Sequence, residues 1–180
     1  MSIVSDIEKL KKEKNAVILA HYYVDEDVQD VADYIGDSFY LSKVATKVSQ
    51  DRIIFAGVEF MGESAKILNP KKRVFMPDMN ADCPMAHMAD KDEILALREK
   101  YDDLAVVCYI NSTAELKKYS DVCVTSSNAV KIVKNLPNKN IFFIPDRNLG
   151  SYVAKQCPDK NFIFNNGCCP RHVVITKDMV

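Results

Sequence analysis

No excess of charge of either sign marks this chain, whose formal net charge is −1. A polypeptide so nearly neutral has no electrostatic reason to bind nucleic acid or an acidic membrane surface. Long apolar runs are missing too: none approaches the roughly 20 residues that span a bilayer. The N-terminal stretch M-S-I-V-S-D-I-E-K-L-K-K-E-K is charged and amphipathic, without the apolar core of a signal peptide. These absences predict a cytoplasmic protein with neither nucleic-acid nor membrane partners. Thiols stay reduced in that compartment, so the six cysteines read as ligands or buried thiols rather than as disulfides.

What the chain does have is a repeat. Tyr23 and Tyr109 open two similar stretches, Val17 to His87 and Ala105 to His172; Cys83 and Cys169 close them, each pair 86 positions apart. M-G-E-S-A-K (61–66) is echoed by L-G-S-Y-V-A-K (149–155). A fixed period points to duplicated structural units. The 180 residues, 48% of them hydrophobic and 27% charged, suffice for two globular units of about 85 residues each. The expected boundaries are 1–88 and 89–172, with 173–180 beginning a further unit.

Within each copy, strands alternate with helices. Val17–Ala20, Arg52–Gly57 and Arg73–Met76 read as strands in the first copy. Val28, Val31, Ala32 and Ile35 fall at helical spacing before Gly36, a plausible terminator. Leu41, Val44, Ala45 and Val48 predict the next helix. Lys91–Lys100 reads as a charged helix. The second copy offers strands at 104–110, 122–124, 141–144 and 162–164, and helices at 114–118, 129–135 and 150–155. Near-continuous apolar strands between helices predict an α/β fold: repeated three-layer α/β/α units with short parallel sheets.

Ligands of such sheets sit beyond the carboxyl ends of the strands. That rule collects His21, Tyr22 and Tyr23, then Glu59 and Met61, then Asp78, Asn80 and Cys83. In the second copy it collects Tyr109, Asn111, Ser126, Ser127, Asn128, Asp146, Asn148 and Cys169. His21, Tyr23 and Tyr109 supply proton donors and acceptors for acid–base work, with only one of Tyr22 and Tyr23 expected to face a site. The turns G-D-S-F at Ser38 and T-S-S-N-A at Ser126 precede helices. A serine there caps the helix or, compatibly, helps present free N–H groups to an anion. Both D-C-P-M-A-H and C-C-P-R-H hold a thiol in a turn stiffened by proline, which suits a metal or cluster ligand. Cys169, before proline as Cys83 is, is preferred to Cys168. Zinc held by Cys83, His87, Cys169 and His172 is an alternative. Cys108 and Cys123 read as small hydrophobes within strands, and Cys157 as a surface loop residue.

Seven motifs in order resemble the quinolinate synthase family: A-H-Y-Y (20–23), V-A-D-Y-I-G-D-S (31–38), F-M-G-E-S-A-K (60–66), M-P-D-M-N-A-D-C (76–83), S-D-V-C-V-T-S-S-N-A-V-K-I-V (120–133), I-P-D-R-N-L-G (144–150) and N-G-C-C-P-R-H (166–172). The resemblance implies three homologous α/β units about a pseudo-threefold axis, each giving one cysteine to a single [4Fe–4S] cluster. It implies a transferase-type condensing enzyme of de novo NAD biosynthesis, joining iminoaspartate to dihydroxyacetone phosphate with loss of phosphate and water. L-aspartate oxidase or aspartate dehydrogenase would supply the iminoaspartate. By motif, Cys83 and Cys169 would be cluster ligands. His21, Ser38, Tyr109, Asn111, Ser126 and His172 would bind substrate, and Tyr23 and Tyr109 would be catalytic. The third unit, with the third cluster cysteine, would lie beyond Val180. The alternative function is a catalytically incomplete unit that binds dicarboxylate or phosphate ligands.

Overall fold

Two short parallel sheets of identical topology organise the molecule, a computed structural model that describes residues 2–179. The chain divides into two compact units, Met1–Asp82 and Cys83–Val180. Both cysteine-bearing turns, at Cys83 and Cys169, therefore fall in the second.

The first unit opens with α1 (Ile3–Glu13), capped by Ser2, whose Oγ accepts the Ser5 N–H at 3.3 Å. There follow β1 (Ala16–His21), α2 (Glu26–Asp30), β2 (Tyr34–Gly36), α3 (Ser38–Lys47), β3 (Arg52–Ala56), α4 (Glu59–Leu68) and β4 (Arg73–Phe75). The sheet order is β2-β1-β3-β4, all parallel. Val17, Leu19, Ile53 and Phe55 are buried in its central strands, and Leu41, Ala45, Phe60 and Ala65 are buried on the helices.

The second unit begins with a 3₁₀ turn, Pro84–His87. It continues through α5 (Lys91–Lys100), β5 (Leu104–Tyr109), α6 (Ala114–Lys118), β6 (Val122–Val124), α7 (Ala129–Asn135), β7 (Asn140–Ile144), α8 (Arg147–Gln156) and β8 (Asn161–Phe164). Order β6-β5-β7-β8 repeats the first sheet. Alternation along β5 makes this a three-layer unit. Ala105 and Val107 pack in one core with Ala129, Val133 and Val153 of α7 and α8. Leu104, Val106 and Cys108 pack on the opposite face with Ile94 of α5 and Leu116 of α6.

Two readings of the sequence need correction. The helical spacing of Val28, Val31, Ala32 and Ile35 does not carry a helix to Gly36. Helix α2 ends at Asp30, and Ile35 and Gly36 belong to edge strand β2. Paired on one side only and largely exposed, three residues show no periodicity of their own. Cys157 is not a surface loop residue either: it is buried in the second unit's core at the end of α8. No helix among the described residues is long and apolar enough to cross a membrane.

Candidate functional site

The parallel topology brings the ends of β5, β6 and β7 to one edge of the second sheet. Tyr109 ends β5 and packs its ring against the core. The next residue, Ile110, donates its N–H to the Val124 carbonyl at 2.8 Å, which brings the Thr125–Asn128 turn beside it. Ser126, exposed in that turn, lies near enough to the Tyr109 hydroxyl to favour its ionised form. Asp146, just past β7, is buried and caps α8, accepting the N–H groups of Asn148 at 2.9 Å and Leu149 at 3.4 Å.

The electrostatics of Tyr109 tie these groups to the cysteines. Burial, then the negative charges of Asp146, Cys169 and Cys83, push the phenol up to about 12, against Ser126, which favours the phenolate. Tyr109 therefore remains a neutral proton donor at physiological pH. Both half-buried thiols lie within electrostatic reach of it, although 86 residues separate them in sequence. Each sits at the start of a turn. The Cys83 carbonyl accepts the Ala86 N–H at 2.8 Å, and the Cys169 carbonyl accepts those of His172 at 3.2 Å and Val173 at 3.0 Å. The Cys83 turn is anchored by buried Met85 and Ala86. Just after it, the Met88 carbonyl accepts the buried Asn165 amide at 2.8 Å. Gly167 is required at the approach to Cys169, because a Cβ there would strike the Pro145 carbonyl.

Two cysteine sulfurs near one phenol are soft donors that, once deprotonated, would fit an iron–sulfur cluster or another thiophilic metal. Among the described residues, Cys83, His87, Cys169 and His172 do not gather within metal-ligand distance as a four-residue set. Asn111 is half-buried in the loop after Tyr109, and His172 is exposed. Sequence reasoning passed over Ser112. Fully buried, it donates its hydroxyl to the Tyr109 carbonyl at 2.9 Å and so steadies the residue that carries the phenol.

His21, Tyr23 and Ser38 occupy the matching edge of the first sheet. His21 ends β1 and is buried, and the Tyr23 N–H donates to its Nδ1 at 3.2 Å. Burial lowers its pKa, opposed by the charge of Asp37, and a backbone donor on Nδ1 places the imidazole proton on Nε2. Tyr22 and Tyr23 do not divide between the sheet's two faces as strand neighbours would. They follow β1 in a turn, both are exposed, and Tyr23 is 82% exposed. Their rings meet edge-on at 5.3 Å, and the Tyr23 ring meets His21 at 4.5 Å.

Neither serine turn caps its helix through serine. Asp37 caps α3, accepting the Tyr40 N–H at 2.7 Å, and Ser38 is the first helical residue. Asn128 precedes α7 and turns its Oδ1 back to the Thr125 N–H at 2.7 Å. Both serines are thus released from capping. Cys123, expected to pack as a small hydrophobe, is exposed on edge strand β6.

Comparison with known proteins shows the family of the chain. The chain is 63% identical over 175 residues to a protein named quinolinate synthase from Fusobacterium nucleatum subsp. nucleatum, covering 97% of this chain and 59% of that one. A quinolinate synthase from Caldicellulosiruptor saccharolyticus is 53% identical over 99% of this chain and 59% of its own length. One from Clostridioides difficile is 55% identical over 92% and 55% respectively. The chain thus spans less than two thirds of the length of these curated relatives. Residues 5–180 match the family described as "Quinolinate synthetase A protein", and the chain belongs to that family.

Proposed function

We propose that these residues form two of the three α/β units of a quinolinate synthase of NAD biosynthesis, condensing iminoaspartate with dihydroxyacetone phosphate to quinolinate, phosphate and water. The observation that carries this reading is the convergence of Cys83, Cys169, Asp146 and Ser126 on Tyr109, in a chain of this family. Cys83 and Cys169 would hold a [4Fe–4S] cluster, with a further thiolate supplied from outside these residues. When bound, the cluster supplies a Lewis acid.

This chain's own groups do the rest. Tyr109, kept protonated, donates a hydrogen bond to developing negative charge on the substrate, and Ser126 sets the phenol's direction. His21, neutral with its proton on Nε2, donates to a substrate carboxylate. Ser38, in the first turn of α3, binds a carboxylate or the phosphate with help from that turn's free N–H groups. Asn111 and His172 bind the remaining carboxylate oxygens. Tyr23, exposed beside His21, passes protons. An aspartate-oxidising enzyme of the oxidase or dehydrogenase class would deliver the imine.

Anaerobic reconstitution followed by iron, sulfide and zinc assays tests the ligand assignment. Iron and sulfide in equal amounts with broad visible absorption, lost in Cys83→Ser and in Cys169→Ser but kept in Cys157→Ser, supports it. Retention of iron in both single variants overturns it. A second reading is binding of dicarboxylates or phosphates without turnover, through Ser38 at the start of α3 and the exposed Ser126. Quinolinate formation by the purified chain would exclude that reading.

A further inference from the structure

Cys108 of β5 and Cys123 of β6 are register partners in adjacent parallel strands. Paired residues of parallel strands project to the same face, and neighbouring strands lie about 4.8 Å apart. That spacing falls inside the roughly 4.4–6.8 Å between Cα atoms that a disulfide spans. The two thiols lie close enough for each to shift the ionisation of the other.

Their surroundings differ in a useful way. Cys108 is 0% exposed, and its Sγ lies 3.5 Å from the Tyr109 carbonyl. Cys123 is exposed on the edge strand. The neighbouring Cys123 sulfur lowers the Cys108 thiol pKa in spite of burial, helped by the Ser112 and Ser120 hydroxyls and the charge of Lys117. The same contact and burial raise the exposed Cys123 thiol. One sulfur is therefore placed to meet a reagent, and the other to resolve the adduct.

We propose that Cys108 and Cys123 form a reversible thiol–disulfide site, oxidised by low-molecular-weight disulfides of the glutathione class and reopened by dithiols. This site is independent of the cluster ligands assigned above. Cys123 loses its proton to solvent and attacks one sulfur of glutathione disulfide, and one glutathione thiolate leaves. Cys108 then loses its own proton to solvent and attacks the Cys123 sulfur, expelling the second glutathione thiolate. Two protein thiols are oxidised, and one disulfide is reduced to two thiols. The new bond ties β6 to β5 directly behind Tyr109 and Ser126 and removes the Cys108 thiol from the Tyr109 carbonyl. The oxidation state is thereby linked to the strand ends that carry the phenol and its serine partner.

The test treats the reduced chain with glutathione disulfide, alkylates the remaining thiols, and maps tryptic peptides by mass spectrometry. The expected product joins the peptide containing Cys108 to the one containing Cys123, and dithiothreitol separates them. In Cys108→Ala, Cys123 should stop at a stable glutathione adduct. In Cys123→Ser, changed at an exposed position compatible with folding, the cross-link should vanish and Cys108 should carry no glutathione. A wild-type chain that keeps glutathione on Cys123 without closing the internal bond overturns the proposal. So does one in which Cys108 and Cys123 both stay free to alkylate after other cysteines have reacted.

Discussion

Asp121 grips Val106 from both sides: its Oδ2 accepts the Val106 N–H at 2.7 Å while its own N–H donates to the Val106 carbonyl at 3.0 Å. Asp33 does the same to Ile18, at 2.8 Å and 2.9 Å. In each unit an aspartate thus extends the ladder of the central strand by one residue, just where the edge strand begins. The charge is balanced by a cation from a preceding helix, Arg98 at 2.9 Å from Asp121 and Lys11 at 2.8 Å from Asp33.

Asp121→Ala should destabilise the second unit by about 1–3 kcal/mol, because the Val106 N–H of a fully buried residue loses its acceptor. Asp121→Asn, which keeps an acceptor oxygen, should cost less. Urea unfolding of the two variants compares them directly, and an unchanged midpoint for the alanine variant would refute the bracing role.

His21 predicts acid sensitivity. Burial holds its pKa below the usual 6.5, so the unfolded chain takes up a proton first as the pH falls. Stability should be full above about 6.5 and decline as pH drops toward the folded-state value. Protonating Nδ1 would also break the Tyr23 N–H contact. Thermal midpoints of the wild type and His21→Gln between pH 7 and pH 5 should diverge in slope, the variant being flatter (pH range set by the ordinary histidine pKa of about 6.5).

Tyr109 predicts the opposite limb. Its phenol, raised to about 12, stays protonated after an unfolded tyrosine would have ionised near 10. Stability should therefore fall as pH rises from about 10 toward 12. Tyr109→Phe should lose this component, and ultraviolet titration should show one phenol ionising last. Cys83→Ser combined with Cys169→Ser removes two of the neighbouring charges and should bring that late phenol down.

Gly150 tests the match between the repeats. A Cβ there would lie 2.9 Å from both Phe143 Cδ1 and Phe164 Cε1, in a wall of packed rings. Gly150→Ala should cost about 1–3 kcal/mol by overpacking. A Cβ on Gly62, its counterpart in α4, would first meet the flexible Met76 side chain, so Gly62→Ala should cost less. Chemical denaturation of both variants measures the difference.

How far the chain could be read without coordinates follows from where its signals are local. The apolar runs at β1, β3, β5 and β7 are visible because central strands bury both faces. The helices at Lys91–Lys100, Ala114–Lys118 and Ala129–Asn135 were legible to the residue, set off by caps and spacing. Strand β6 shows itself as V-C-V, whereas its counterpart β2, Y-I-G, is exposed and carries no run. Nor does sequence say that Asp37, rather than Ser38, would cap α3, since either residue type performs that task.

Periodicity and the two proline-stiffened cysteine turns were thus determined by the sequence itself, since each depends on neighbours a few residues apart, and the repeat shows directly as two matching stretches of sequence. Tertiary structure alone decided that Cys83 and Cys169 both act on the Tyr109 phenol, that Cys157 is buried, and that Cys108 faces Cys123. Those relations arise from strand order and register, which bring together residues separated by between 15 and 86 positions. No local pattern encodes them, because a sheet's register is settled only when the whole core packs.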